Sequence, residues 1–262
     1  MDFDSTTTEK QSFIVDGKEV QVYFGVSREM STKIGEAPMS LNSTMFFEFE
    51  PIADYTFIMR LWRIAKEFIR FLCYRKNVFL SKIEIASPYK GGKHENFATL
   101  HIVDESGKSE PDTLQKGRLI KQENISGSEG AILTDIADDL LYTRHLPNTY
   151  ESGLHIDASR FIMITAAFEW EFHRLYPDGV PKKEATVLNN ENLVYSEMGE
   201  RLANQRNHFA HGNLDKDFIG LSLLDLICVE YVIYALQLKH YGVADDCIRK
   251  SINDLFHLNF AL

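Results

Sequence analysis

The sequence predicts an α+β protein in which a β-rich or α+β domain precedes an all-α helical bundle. Two observations lead to this prediction. Alternating apolar and polar runs with turn residues are concentrated in the first half of the chain, whereas apolar residues at helical spacing dominate the second half. A polar stretch bearing glycine and serine lies between them, KSEPDTLQKGRLIKQENISGSEG. We therefore predict domains over residues 1–125 and 126–262.

The strands of the N-terminal domain are predicted from alternation and turn chemistry. Two alternating runs flank Asp16-Gly17 in the segment SFIVDGKEVQVYF, a pattern typical of a tight hairpin. A third strand, TMFFEFE, ends before Pro51, and two more are predicted within NVFLSKIEIAS and ENFATLHIVDESGK. The segment YKGGKHEN lacks the spacing of a phosphate-binding loop, so we interpret it as a hairpin turn. We interpret the segment LIKQENI as part of the linker, and an edge strand is the alternative that stays open.

Helical spacing predicts one helix in the first half of the chain and five in the second. The first covers DYTFIMRLWRIAKEFIRFLCYRK, where apolar residues recur every three or four positions. Pro177 and Pro181 separate the second and third helices of the bundle, and Gly212 ends the third. The predicted helices of the bundle cover residues 130–143, 156–176, 190–211, 216–241 and 243–257.

Composition and charge narrow the class of protein. The polar start MDFDSTTTEK and the lack of an apolar run of ~20 residues predict neither a signal peptide nor a membrane partner. Cys73, Cys228 and Cys247 are isolated, which predicts reduced thiols in a cytoplasmic protein. Residues 131–262 hold 11 Lys and Arg against 19 Asp and Glu, so nucleic-acid binding there requires a local site or a second subunit.

The segment NQRNHFAHG, residues 204–212, concentrates polar side chains at the end of the third bundle helix. At ~100° per residue, Leu202 and Phe209 fall on the core stripe, and a polar stripe runs along the helix beside it. Arg206, Asn207 and His211 project into one arc of about 140°. A third side, which we expect to face solvent, carries Arg201 and His208.

These residue types suit the cleavage of a phosphodiester without a metal ion or cofactor. Histidine takes or gives a proton near neutral pH, and arginine is a permanent forked cation that stabilises phosphate charge. Asn207 lies one turn before His211 and is placed to orient it or to hold the phosphate. RNA carries its own nucleophile, the 2′-hydroxyl, whereas DNA does not.

A structural explanation of the same residues stays open. Cationic side chains stabilise the last turn of a helix through its dipole, whatever the function of the protein. Arg206 and His211 at this spacing are therefore weak evidence when taken alone.

The segment from Arg206 to His211, RNHFAH, followed by glycine, resembles the R-N-x-x-x-H signature of the HEPN superfamily. In that family the signature closes the third long helix of a small antiparallel bundle, and RNHFAH likewise closes the third predicted helix of the bundle. The upstream helix, RFIMITAAFEWEFHRLYP, resembles the glutamate-bearing helix of ApeA-like phage-defence HEPN proteins, and the β-rich start is similar in layout to their N-terminal domain.

The resemblance implies a metal-independent endoribonuclease that acts as a homodimer, with the signatures of two protomers forming one cleft. Carried over by position, Arg206 would stabilise phosphate charge, Asn207 would position, and His211 would act as general acid and base. His208 would lie at the rim of the cleft. Glu169 would have a supporting role, and it lies one turn before His173, within hydrogen-bonding reach. We expect Glu171 to face solvent.

The most basic stretch of the chain lies on the predicted helix of the N-terminal domain. Its cations fall within an arc of about 120° and alternate with aromatic residues, which makes this face a candidate for RNA binding or for docking an acidic partner. The charged outer face of an amphipathic helix explains the same pattern. The cations are Arg60, Arg63, Lys66 and Arg70.

Two further expectations concern metals and partners. Asp135, Asp138 and Asp139 have no histidine partners along their helix, so no metal site is predicted. The function predicted by these residues and the resemblance together is RNA cleavage in bacterial anti-phage defence, by abortive infection, with the N-terminal domain sensing a phage-derived trigger. Two alternatives remain: a non-catalytic HEPN-like module for dimerisation and nucleotide or protein binding, and a toxin restrained by an antitoxin.

Overall fold

The computed structural model describes residues 5–30, 39–78, 80, 82–87, 96–102, 117–178, 192–211 and 222–257. Antiparallel sheets and helices are both present, which confirms the α+β class. The strands are β1 (Ser5–Thr7), β2 (Gln11–Val15), β3 (Lys18–Met30), β4 (Met39–Phe49), β5 (Lys82–Ala86) and β6 (Asn96–His101). The helices are α1 (Tyr55–Cys73), α2 (Gln122–Ile125), α3 (Glu129–Ala137), α4 (Tyr150–Gly153), α5 (Ala158–Leu175), α6 (Asn192–Ala210), α7 (Ser222–His240) and α8 (Asp245–Phe256).

The long strand β3 organises the first sheet. It pairs antiparallel with β1 and β2 along one side and with β4 along the other, in registers that include Val20↔Phe49. The predicted hairpin is confirmed, since Asp16 and Gly17 take φ values of 50° and 76°, the left-handed pair that a two-residue turn requires. A separate antiparallel pair, β5 and β6, confirms the last two predicted strands.

One face of the sheet buries apolar residues against α1. Phe13, Val20 and Val22 are almost fully buried, and the rings of Phe24 and Phe68 lie 5.8 Å apart between β3 and α1. The α1 side chains that complete this core recur at the predicted helical spacing. They are Phe57, Leu61, Ile64 and Phe68.

Contacts between residues divide the chain into two compact units. The first unit contains the described residues of 5–69, 78–102 and 126–140, and the second contains those of 70–77, 117–125 and 141–257. Residues 126–140, which the sequence assigns to the bundle, are grouped with the sheet because α3 packs on β2. The boundary at residue 125 itself stays a prediction.

Several predicted element limits are wrong. The first bundle helix, predicted over 130–143, ends at Ala137, because Asp139 adopts a left-handed φ of 57° that ends the α-helical conformation. The segment LIKQENI, for which an edge strand was the open alternative, contains the single helical turn α2 instead. The short helix α4 is missing from the sequence prediction, although Thr149 and Ser152 form a capping box at its start.

The remaining bundle helices agree with the prediction within two residues at each described end. They are α5, α6, α7 and α8, with residues 190–191 and 216–221 of the predicted ranges outside the described part. Helices α5, α6 and α7 share a core that includes Phe161, Ile164, Phe209 and Ile233, each at most 2% exposed. Within the described residues, no helix is long and apolar enough to cross a membrane.

Buried polar side chains lie within the second unit. Arg160 donates to Glu230 at 2.7 Å and to the Tyr74 hydroxyl at 3.0 Å. His145 is 1% exposed, and burial, with the nearby cations Arg160 and Lys76, lowers the pKa of its imidazole to about 3. This histidine is therefore neutral in the folded protein near pH 7, unlike a proton-transfer residue in an open site.

We expect Gly130→Ala to destabilise the first unit by about 1–3 kcal/mol. A Cβ at this position of α3 would lie 2.5 Å from the backbone oxygen of Ser12 in β2, and a paired strand cannot easily move away. Gly199→Ala is the matched control, because a Cβ there meets no atom within 4 Å and the change should favour helix α6. Urea unfolding of both variants tests this; equal stability of the Gly130 variant and the parent would contradict it.

Candidate functional site

The candidate site is built on the C-terminal end of α6, which is anchored by its apolar side. Leu202 and Phe209 are 8% and 2% exposed, so the predicted core stripe is confirmed. The Phe209 ring meets the Phe161 ring of α5 edge to face, with centroids 5.5 Å apart. The His211 backbone N–H donates to the Asn207 oxygen at 3.2 Å, so the helical turn extends to His211. Gly212, predicted to end this helix, lies outside the described residues.

The polar residues of the signature lie on the open side of α6. Asn207 and His211 are exposed and Arg206 is partly exposed, as predicted from the helical wheel. Glu200 and Asn204 are also exposed and continue the same polar stripe toward the start of the helix. A ligand therefore has access to all three predicted catalytic side chains in the single chain.

Glu169 on α5 contacts the signature directly. One of its carboxylate oxygens, Oε1, accepts a hydrogen bond from Nη1 of Arg206, and the two side chains are 49% and 41% exposed. The sequence places Glu169 within hydrogen-bonding reach of His173 on its own helix, whereas the structure shows a partner on α6, 37 positions further along the chain. Because Phe161 meets Phe209 and Glu169 meets Arg206, α5 and α6 run antiparallel at this point.

Arg201, on the other side of α6, is expected to face solvent, but it contacts a neighbouring helix. Its guanidinium makes two hydrogen bonds to Asp225 of α7, at 2.6 and 2.9 Å, and thereby joins the two helices. His208, expected at the rim of a cleft, is partly buried and lies beside the Phe209 ring with centroids 6.2 Å apart.

The expectation that Glu171 faces solvent is wrong. Its side chain is 1% exposed, pairs with Arg174 at 3.3 Å, and accepts a hydrogen bond from Gln237 of α7 at 3.0 Å. On a helical wheel Glu171 falls between Ile164 and Ala167, which are both buried. This position is the signal in the sequence from which the burial of Glu171 could have been predicted. This glutamate holds α5 to α7 rather than contributing to the exposed face.

The basic residues of α1 have mostly internal contacts. Arg60 donates to the Ala137 carbonyl at 2.6 Å, and Arg70 donates to the Lys76 carbonyl at 2.8 Å. Lys66 is only 7% exposed, and its ammonium lies 5.4 Å from the Trp62 ring. Arg63 is exposed. These contacts therefore do not favour a continuous cationic surface that binds RNA. The RNA-binding role of the four residues stays a prediction.

Among the described residues, the acidic side chains of α3 and of the loop after it are not grouped with other potential metal ligands. Asp138 and Asp139 are exposed, and the part of the chain that the structure describes contains no group of three His, Cys, Asp or Glu side chains able to hold a metal ion. The segment YKGGKHEN, interpreted as a hairpin turn, lies almost wholly outside the described residues.

Comparison of the chain with protein-family models, with curated proteins and with solved structures found no match.

The chemistry that the site offers follows from its own residues. Arg206 supplies a cation, Asn207 an amide donor and acceptor, and His211 an imidazole with two ring nitrogens. They share one helix end, which the buried Phe209 anchors on the apolar side of α6. An anionic substrate with an internal hydroxyl nucleophile matches this set.

Proposed function

We propose that the chain is a metal-independent endoribonuclease. The observation that carries the proposal is the exposure of Arg206, Asn207 and His211 together at the end of α6, with Glu169 in contact with Arg206. A structural helix end needs no such grouping of phosphate-binding and proton-transfer groups on its open side. The resemblance of the same residues to the HEPN signature supports the same function.

In the proposed reaction His211 accepts the proton of the ribose 2′-hydroxyl, and the oxygen attacks the adjacent phosphorus. The bond from phosphorus to the 5′-oxygen breaks, and that oxygen leaves with a proton from a general acid. Arg206 stabilises the negative charge of the transition state, and Asn207 orients His211 or the phosphate. The products are a 2′,3′-cyclic phosphate and a 5′-hydroxyl.

One histidine cannot be base and acid in the same step, which favours a homodimer whose second His211 is the acid. The same proposal includes an N-terminal sensing domain followed by a HEPN-like bundle, and a cytoplasmic location. It also includes abortive infection as the setting, with a phage-derived trigger or an antitoxin as partner. These parts are supported by the resemblance and by the composition of the chain.

The matched variants Arg206→Lys and Arg206→Ala test the proposal against a non-catalytic module for dimerisation or binding. We expect RNA cleavage to fall by about 10²-fold or more in both, because lysine lacks the planar fork that binds a phosphate through two N–H groups. The free energy of unfolding should change by about 0.5 kcal/mol or less, since the Arg206 side chain is partly exposed. Cleavage that survives both substitutions would contradict the proposal and support the binding module.

A further inference from the structure

Among the described residues of the second unit, three arginine–carboxylate pairs join different helices and differ sharply in exposure. Arg160–Glu230 is buried, at 12% and 5% exposure, and Arg201–Asp225 is held by two hydrogen bonds, at 31% and 10%. Arg206–Glu169 is the most open of the three, at 41% and 49%. The pair that belongs to the candidate site is therefore the one that solvent screens most and that another anion displaces most easily.

The contact also uses the group that the proposed reaction needs. Arg206 donates from Nη1 to Glu169 Oε1, whereas Arg201 uses both Nε and Nη2 on its carboxylate. A phosphodiester oxygen approaching Arg206 would meet a carboxylate of the same charge sign already at the guanidinium. Guanidinium binds carboxylate and phosphate through the same N–H donors, so the two anions compete for Nη1 and for the positive charge of Arg206.

We propose that Glu169 is a built-in competitor of the RNA phosphate, which occupies Arg206 in the free protein and must be displaced when RNA binds. The inference rests on the proposed function. It adds a regulatory contact: the carboxylate holds Arg206 in place beside Asn207, and it weakens RNA binding at the same time. Contacts elsewhere, including those with a second protomer, then supply the free energy of displacement when RNA binds.

Fluorescence anisotropy with a short labelled single-stranded RNA tests this in the His211→Ala background, where the RNA stays intact. Glu169→Gln keeps the shape of the side chain and removes its charge. We expect this change to tighten RNA binding about fivefold at low ionic strength, and the gain to shrink at high salt. Glu123→Gln is the matched control, because it removes one exposed glutamate of the same unit, on α2, and should leave the affinity unchanged within about twofold.

Arg206→Ala separates the inference from the proposed function. If Glu169 acts through Arg206, the gain from Glu169→Gln disappears when Arg206 is alanine. Weaker RNA binding on Arg206→Ala, combined with equal or weaker binding on Glu169→Gln, would overturn the competitor role and leave the ribonuclease proposal standing. RNA binding that does not respond to Arg206→Ala would overturn both.

Discussion

His211→Ala should lower the rate of RNA cleavage by about 10²–10⁴-fold, the range that a positioned general base or acid contributes. The side chain is exposed at the end of α6, so its removal should leave the fold and the stability almost unchanged. In a homodimer the loss should be at the upper end of this range, because each composite cleft loses both proton-transfer groups.

The neighbouring histidine provides the control for that result. His208 lies three positions earlier, partly buried beside Phe209 and on a different side of the helix. His208→Ala should reduce cleavage by less than about tenfold, through small shifts of the helix end rather than through loss of a proton-transfer group. Rates measured at a single RNA concentration well above KM compare the chemical step directly. Equal losses in the two variants would contradict the role given to His211.

Arg160→Ala should destabilise the second unit by about 3–5 kcal/mol, the largest loss of stability that we predict for a single substitution in this chain. Its guanidinium is the ion-pair partner of the buried Glu230, whose pKa is raised because burial disfavours the carboxylate. Without Arg160 the carboxylate is left buried and uncompensated, or takes up a proton at a cost in folding free energy.

Two further variants make the Arg160 prediction specific. Replacing both partners, as Arg160→Met with Glu230→Leu, should recover much of the lost stability, because no charge remains buried. Arg201→Ala removes an arginine from a more exposed pair and should cost about 1–2 kcal/mol. Urea unfolding followed by circular dichroism measures all three. A loss for Arg160→Ala no greater than that for Arg201→Ala would show that burial does not set the strength of these pairs.

Local sequence signals predicted much of the described fold. The Asp16-Gly17 hairpin follows from turn chemistry, since these residues adopt the left-handed conformation that such a turn needs. The burial of Phe209 and the exposure of Asn207 follow from the 3.6-residue helical repeat alone. In each case the information lies within one element.

What the sequence did not predict depends on contacts between distant segments. The Arg206–Glu169 contact joins positions 37 apart, and the wheel of either helix leaves the partner of Glu169 undecided. The grouping of α3 with the sheet depends on the close approach of Gly130 to Ser12. Neither is a property of one helix or strand. Glu171 is different, because its place among apolar residues on α5 was visible and its charge led to the wrong expectation.

The most direct test of the central claim is to incubate the purified protein with RNA in EDTA and identify the ends of the fragments. We predict cleavage that leaves 2′,3′-cyclic phosphate and 5′-hydroxyl ends, and no cleavage where the nucleotide at the scissile bond is 2′-deoxy. Cleavage that stops in EDTA, or that proceeds at 2′-deoxy positions, would contradict a metal-independent reaction through the 2′-hydroxyl.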